Sequence, residues 1–303
     1  MRCAWKTVSW QANALLLDQA EYRLDNGPWQ PREEVLRVDN LLREALGYPL
    51  KMAAFPQPWT LHGQGRREEH RLELRFTVRS QLALEGVKLA VERPQDLSIR
   101  WNGQPVSCQS DGWFTDEAIR TLPLPPARPR ENILELEMPY GPATNVEWCY
   151  LLGDFGVTVA GACAQLTPPV RELAFGDWTA QGLPFYAGNV TYHCTLDTAP
   201  GTYQLEVTKY RAPLVQVRLD GRLVGSPVFS PYRVELGSLE GAHKLDITAF
   251  GSRINAFGAL HSCKPVTWCG PDAWRTEGPA FSYEYQLTPC GVLISPKLFR
   301  LEG

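Results

Sequence analysis

Hydrophobic and polar residues alternate along many short stretches of this chain. The clearest case is residues 70–78, HRLELRFTV, in which Leu72, Leu74, Phe76 and Val78 alternate with charged or polar neighbours. Successive side chains of a β-strand point to opposite faces of the sheet, so this period of two predicts a strand with one buried and one solvent-facing side. The same reasoning predicts strands at residues 13–24, 87–91, 97–101, 133–138, 190–196, 203–207, 214–219, 243–250 and 282–287.

Breakers divide the rest of the chain into short pieces. It contains 25 glycines and 25 prolines, too many for a protein built of long helices. Asn102-Gly103 and Asp220-Gly221 are dipeptides favoured in two-residue hairpin loops. One helix is predicted, at residues 33–46, where a glycine and a proline follow and two valines leave a strand as the alternative. These patterns predict an all-β protein.

The two halves of the chain resemble each other. Residues 97–106 (LSIRWNGQPV) and 215–224 (VQVRLDGRLV) each pass from an alternating strand through an Asn-Gly or Asp-Gly turn into a short return strand. Another alternating strand follows in each half, at residues 131–138 and 242–250. The repetition predicts two antiparallel β-sandwiches in tandem.

A proline pair marks the boundary between these halves. Thr167-Pro168-Pro169 interrupts an apolar strand, and we therefore predict a first domain at residues 1–165 and a second at residues 166–303.

Charge and cysteine content exclude several classes of function. The chain has 30 Lys and Arg against 33 Asp and Glu, whereas a generic nucleic-acid binder carries a basic excess. It has no apolar run long enough to span a membrane, and residues 1–11 show no signal peptide. Its eight cysteines form no CxxC motif and most lie in apolar surroundings, which predicts unpaired buried thiols and favours the cytoplasm, with a Cys263–Cys269 surface disulfide as the alternative.

The second half resembles the jelly-roll, galactose-binding-domain-like sugar-binding domains attached to large glycoside hydrolases of the family 2 and family 106 (rhamnosidase-like) kind. The residues that carry the resemblance are YAGNVTY at 186–192, LDGRLVG at 219–225, PYRVEL at 231–236, GAHKLDI at 241–247 and GSRINAFG at 251–258. Ala242-His243 departs from the family pattern, which often has Asn there.

The first half is similar to the segment that precedes such a domain. Residues 13–18 and 22–25 resemble its start, and residues 146–156 (VEWCYLLGDFG) resemble its end. The resemblance implies a non-catalytic, carbohydrate-associated pair of jelly-roll sandwiches. It also implies a catalytic barrel as a partner, and it leaves a structural Ca²⁺ open. We expect no other cofactor.

Sugar binding by such a sandwich requires an aromatic ring to stack on the pyranose and polar groups to fix its hydroxyls. The aromatic residues in loop-like contexts are Trp178, Tyr186, Tyr192, Trp268 and Trp274, and the polar residues beside them are Asp177, Asp272 and Arg275. These eight residues are the predicted carbohydrate site. For each tryptophan, the alternative is a plug at an open end of the sandwich.

Two other functions stay open at this stage. A structural or oligomerisation module would associate with a barrel or with a second copy of the chain and would not bind sugar. A small hydrolase or lyase would need a carboxylate pair, for which Glu147 and Asp154 are the candidates because they lie in an unusually apolar stretch. The alternative for these acids is a salt bridge or a turn cap.

Overall fold

The computed structural model describes residues 2–50, 68–263 and 278–301. Within them the helices are α1 Val35–Leu46 and α2 Ile254–Phe257. The strands are β1 Arg2–Ser9, β2 Asn13–Leu17, β3 Gln19–Leu24, β4 Gln30–Glu34, β5 His70–Ser80, β6 Lys88–Glu92, β7 Ser98–Trp101, β8 Gln104–Pro105, β9 Gly112–Phe114, β10 Asp116–Pro123, β11 Arg130–Tyr140, β12 Cys149–Gly153, β13 Gly156–Ala160, β14 Cys163–Thr167, β15 Val190–Glu206, β16 Tyr210–Arg211, β17 Val215–Leu219, β18 Arg222–Gly225, β19 Arg233–Ala249, β20 Gly291–Val292 and β21 Lys297–Leu301. The all-β prediction is confirmed, while residues 282–287 form no strand.

The chain forms two compact units. Unit 1 comprises Met1–Ala12, Val170–Ala256 and Leu287–Gly303, and unit 2 comprises Asn13–Pro169 and Phe257–Gln286. The chain passes from unit 2 to unit 1 after residue 169, near the predicted boundary. Two segments lie in the other unit than the sequential domains 1–165 and 166–303 predict: Met1–Ala12 in unit 1 and Phe257–Gln286 in unit 2. The N-terminal residues join unit 1 because β1 pairs antiparallel with β15.

Unit 2 contains two sheets. The five-stranded sheet has the order β2-β12-β6-β10-β9. The eight-stranded sheet has the order β13-β14-β5-β11-β7-β8, with β3 beside β5 and β4 beside β3. Leu72, Leu74, Phe76 and Val78 on β5 are all buried, as the period of two predicts. Each such side chain contributes roughly 1.5–3 kcal/mol when it leaves water.

Helix α1 is confirmed at the predicted place in unit 2. Glu34 caps its first turn, because its carboxylate accepts the backbone N–H groups of Leu36 and Arg37. Gly47 ends the helix in the left-handed conformation, with φ of 70°.

Unit 1 contains a six-stranded sheet of order β1-β15-β19-β17-β18, with β21 also paired to β15. A two-stranded sheet is formed by β16 and β20. Strands β15 and β19 run side by side for most of their 17 residues each, with two shifts of register. Their inward side chains, including Cys194, Leu205 and Leu245, form the hydrophobic core of the unit.

The internal similarity of the sequence corresponds to one turn motif found in both units. Strand β7 turns at Asn102-Gly103 and pairs with β11, and β17 turns at Asp220-Gly221 and pairs with β19. The Asn102 side chain accepts the N–H of Ile133, and the Asp220 side chain accepts that of Lys244. Asp220 is therefore a turn-forming residue.

Candidate binding site

A pocket opens between the two sheets of unit 2. Its apolar wall consists of Leu74 on β5, Val91 on β6, and Leu136 and Met138 on β11. The side chains around this wall are mostly polar: Glu68, Glu92, Arg93, Asp96, Leu97, Pro139, Ala143, Thr144, Asn145, Glu147 and Trp148. The pocket thus combines an apolar wall with a polar rim, the composition typical of small-molecule sites.

The rim beside β6 is shaped by Arg93. Its backbone has φ of 48° and ψ of 51°, a left-handed conformation that is uncommon for a residue other than glycine. This conformation begins the 3-10 turn Pro94–Asp96, and the Arg93 guanidinium forms an ion pair with Asp96. The turn brings both side chains to the mouth of the pocket.

The opposite rim, residues 143–148, is held by a buried arginine. Arg43 on α1 donates to the carbonyl oxygens of Pro142 and Thr144 at 3.0 and 2.9 Å. Its Nε donates to Asp39 at 3.0 Å, and both side chains of this ion pair are at most 1% exposed. The planar guanidinium donates to several acceptors at once and therefore anchors the backbone of this loop.

Trp148 joins this pocket to a buried carboxylate. The residue is 8% exposed, and its indole Nε1 donates to Glu34 Oε1 at 2.7 Å. Burial raises the pKa of Glu34 to about 7; the hydrogen bonds from Trp148 and Leu36 act in the opposite direction. The nearby charge of Asp18 raises the pKa further, and His261 lowers it.

His261 and Asp18 form a buried pair in the same unit. His261 Nε2 lies 2.7 Å from Asp18 Oδ2, and Nδ1 lies 2.7 Å from the carbonyl oxygen of Ser282. Tyr285 donates its hydroxyl to the other Asp18 oxygen at 2.7 Å. Burial lowers the pKa of His261, but Asp18, the Ser282 carbonyl and Glu34 together outweigh it, and the net pKa is raised. An acceptor lies at each ring nitrogen, which favours the protonated ring and agrees with the raised pKa of His261.

The structure corrects the predicted aromatic site where it describes it. Trp178, Tyr186 and Tyr192 are at most 1% exposed and belong to the core of unit 1. Phe175 stacks on Tyr192 at a centroid distance of 4.5 Å, and Trp178 meets Tyr186 edge-on. No pyranose can reach these rings, because neighbouring side chains occupy the space that a stacked sugar needs.

Of the five other predicted site residues, the structure describes only Asp177. Asp177 is a structural cap, because its carboxylate accepts the N–H groups of Thr179 and Cys290. Four further predicted residues lie outside the described residues: Trp268, Trp274, Asp272 and Arg275. Their role in sugar binding stays a prediction.

The two candidate catalytic acids are separated. Glu147 lines the pocket, whereas Asp154 is exposed in the turn between β12 and β13 and is not part of the pocket lining. In the pocket Glu147 is accompanied instead by Glu92, Asp96 and Glu68. Among the described residues, no group of three or more His, Cys, Asp or Glu side chains could hold a metal ion. The structural Ca²⁺ stays a prediction.

One cysteine differs from the predicted pattern of unpaired thiols. Cys194 is disulfide-bonded, whereas Cys263, offered above as half of a surface disulfide, is free. Cys108, Cys149 and Cys290 are also free thiols, and burial raises the pKa of Cys290 to about 11. A disulfide removes part of the basis for favouring the cytoplasm, and the compartment stays a prediction.

The helices in the described ranges are all too short or too polar to cross a membrane.

Sequence reasoning named Glu147 in the pocket lining but missed the residues that hold the pocket in place. Glu34 shows one local signal, since an acid just before a predicted helix is a capping candidate. Arg43 and Trp148 show none, because their roles depend on contacts more than 90 residues away in the sequence.

Comparisons with known proteins find no matching family model and no matching curated protein. Among solved structures, the chain is similar to a rhamnosidase from Novosphingobium sp. PP1Y, with 14% identity and a TM-score of 0.30 over 75% of this chain and 22% of that chain. It is similar to a GH2 beta-galacturonidase from Eisenbergiella tayi, with 12% identity and a TM-score of 0.27 over 88% and 39%. A beta-D-mannosidase from Dictyoglomus thermophilum gives 14% identity and a TM-score of 0.28 over 78% and 31%.

The chain spans between about a fifth and two-fifths of the length of these enzymes. Glycoside hydrolase chains are thus its structural neighbours at a coarse level. The TM-scores are too low for any activity to be carried over from them.

Proposed function

We propose that this chain is a non-catalytic, saccharide-binding accessory region of a carbohydrate-active protein, and that the unit 2 pocket is its binding site. The observation that carries the proposal is the composition of this pocket, in which apolar side chains face a rim with four carboxylates, one amide and the guanidinium of Arg93. A pyranose has the complementary surface, with apolar C–H faces and a rim of hydroxyl groups. The sequence resemblance to sugar-binding jelly rolls supports the same proposal.

Two features of the pocket favour binding by a preformed site. The loop carrying Thr144 is anchored by Arg43, and Trp148 is fixed through its indole N–H. A site whose side chains are already ordered loses less conformational entropy when a ligand binds. A catalytic barrel or a second copy of this chain stays the predicted protein partner.

The test is isothermal titration calorimetry of the purified chain with three oligosaccharides: mannotetraose, chitotriose and trigalacturonate. Leu97→Trp adds bulk at the pocket rim, and Glu92→Gln removes a carboxylate without changing shape. The matched control is Glu117→Gln, an exposed carboxylate on β10 outside the pocket. We expect at least one oligosaccharide to bind, both pocket variants to weaken its affinity at least tenfold, and the control to bind like the wild type. If none of the three binds, or if both pocket variants bind normally, the pocket is not the saccharide site.

A second candidate function is hydrolysis, favoured by the four carboxylates that share one pocket. Glycosidases use two carboxylates roughly 5–9.5 Å apart. Chromatography of the same oligosaccharides after incubation with the chain decides between the two. Products that disappear with Glu92→Gln or Glu147→Gln would establish hydrolysis and contradict the non-catalytic proposal.

A further inference from the structure

The indole of the pocket residue Trp148 is hydrogen-bonded to a buried carboxylate. Glu34 is 3% exposed and accepts three N–H groups, from Trp148, Leu36 and Arg37, at 2.7, 3.1 and 3.0 Å. All three partners are donors. The ionised carboxylate therefore satisfies every contact, whereas a protonated Glu34 would bring a fourth hydrogen into a group of donors.

The charge of Glu34 belongs to a buried cluster. Asp18 is 1% exposed and His261 is 3% exposed, and the two side chains are in contact at 2.7 Å. Glu34 raises the pKa of His261 through its charge, and His261 lowers that of Glu34. Tyr285 also faces Asp18, and the buried thiol of Cys149 lies near it. The free energy of a charge that is removed from water depends strongly on the groups around it, because little solvent screens the interaction.

The surface charges next to this cluster are paired among themselves. Glu33 Oε1 lies 3.1 Å from Arg37 Nε, and the Tyr283 hydroxyl donates to the other Glu33 oxygen at 2.9 Å. Glu33 is thus a neighbouring carboxylate whose hydrogen-bond donors are the Glu34 backbone N–H, Arg37 and Tyr283, whereas the Trp148 indole donates to Glu34.

We propose that Glu34 is a positioning residue for the pocket, and that its ionisation, balanced by His261, fixes the indole of Trp148 and makes ligand binding depend on pH. This inference rests on the proposed function of the pocket. Its physical basis is the change from a charge-assisted N–H···O⁻ bond to a neutral bond when Glu34 takes up a proton. The weaker bond leaves the indole free to adopt other rotamers at the pocket wall.

The direction of the effect follows from the chemistry of Glu34. Because burial raises its pKa to about 7, Glu34 passes from mainly protonated to mainly ionised between pH 6 and 8. The ionised fraction then rises roughly tenfold. The affinity of the pocket for its ligand should rise with this ionised fraction.

The stability of the folded chain should fall over the same pH range, because a carboxyl with a raised pKa stabilises the folded state only while it is protonated. Opposite trends separate a positioning role from a merely structural one.

The first experiment needs no ligand. The indole ¹H–¹⁵N resonance of Trp148, assigned by its absence in Trp148→Phe, is followed from pH 5.5 to 8.5. We expect a downfield shift with a midpoint near 7 in the wild type and in the Glu33→Gln control, and no such titration in Glu34→Gln. A wild-type resonance that stays constant overturns the inference without any variant having to fold, and a titration that survives in Glu34→Gln overturns it as well.

The second experiment measures binding of mannotetraose, chitotriose and trigalacturonate at pH 6 and pH 8. We expect the affinity of a bound oligosaccharide to rise up to roughly tenfold at pH 8 for the wild type and Glu33→Gln, and to be equal at both values for Glu34→Gln. An equal affinity at both pH values in the wild type contradicts the inference while leaving the proposed function intact. If no oligosaccharide binds, the proposed function fails, and the resonance of Trp148 still tests the link to Glu34.

Discussion

His261 and Asp18 meet at 2.7 Å in the interior of unit 2, and each is at most 3% exposed. The pair joins the segment Phe257–Gln286 to the residue between β2 and β3. The protonated form of His261 stabilises unit 2 through this contact, and the stabilisation is lost when the proton leaves. The pair should therefore make the stability of unit 2 depend on pH.

The stability of unit 2 should decrease as pH rises from 5.5 to 8. The pKa of His261 is raised, so its contribution is complete below the ordinary histidine value and is lost as pH passes the raised value. Glu34 acts in the same direction, because its pKa is raised from 4.5 to about 7. The two losses have the same sign and should add, so the wild type should be measurably less stable at pH 8 than at pH 5.5.

Urea unfolding followed by circular dichroism at pH 5.5 and 8 measures this loss. Glu34→Gln and His261→Gln should each reduce the difference between the two pH values, and Glu33→Gln should retain it. Equal or higher stability at pH 8 in the wild type would show that these groups do not titrate as described.

Arg43→Lys should destabilise unit 2 and weaken saccharide binding together. A lysine ammonium cannot serve Asp39 and the carbonyls of Pro142 and Thr144 at once, which leaves buried groups without partners. Each buried acceptor that loses its donor costs about 1–3 kcal/mol. The control is Arg100→Lys on the exposed face of β7, which should change urea stability by less than about 0.5 kcal/mol. Similar stability of the two variants would be evidence against the anchoring role of Arg43.

The two hairpin turns should respond alike to substitution at their glycines. Gly103 and Gly221 have φ of 78° and 80°, so Gly→Ala should cost each turn about 1 kcal/mol. Gly→Asn should cost less at both positions, because asparagine adopts the left-handed conformation more readily than alanine. Urea midpoints of the four variants check this. Alanine tolerated as well as asparagine would mean that the turns do not require this conformation.

Trp178→Ala should damage the fold of unit 1 and have no direct effect on saccharide binding. Removing a fully buried indole creates a cavity and costs about 3–5 kcal/mol. Trp113→Ala is the control, since 54% of that residue is exposed and little packing is lost. Thermal unfolding measures both. A stable Trp178→Ala chain that has lost saccharide affinity would restore Trp178 as a binding residue.

The local features of this fold could be predicted from the sequence. The alternation around Leu74 and Phe76 predicts β5 and its buried face, because a strand has a fixed period of two. Asn102-Gly103 and Asp220-Gly221 predict their turns because few other residues accept positive φ.

The binding site could not be predicted in this way. Trp148 meets Glu34 at the end of β4, and Arg43 on α1 meets the backbone of Thr144. Both contacts join residues more than 90 positions apart, and no local pattern records them. Trp178 lies before a 3-10 turn, as its loop-like sequence context predicts, yet its side chain is fully buried. A loop position in the sequence does not reveal the burial of its side chain.

The most direct test of the central claim is calorimetry of mannotetraose, chitotriose and trigalacturonate with the wild-type chain, Leu97→Trp and Glu117→Gln at pH 8. Our account predicts binding by the wild type and the control and a loss of at least tenfold in affinity for Leu97→Trp. Equal binding by all three proteins, or no binding of any oligosaccharide to the wild type, would contradict the assignment of the unit 2 pocket as a saccharide site.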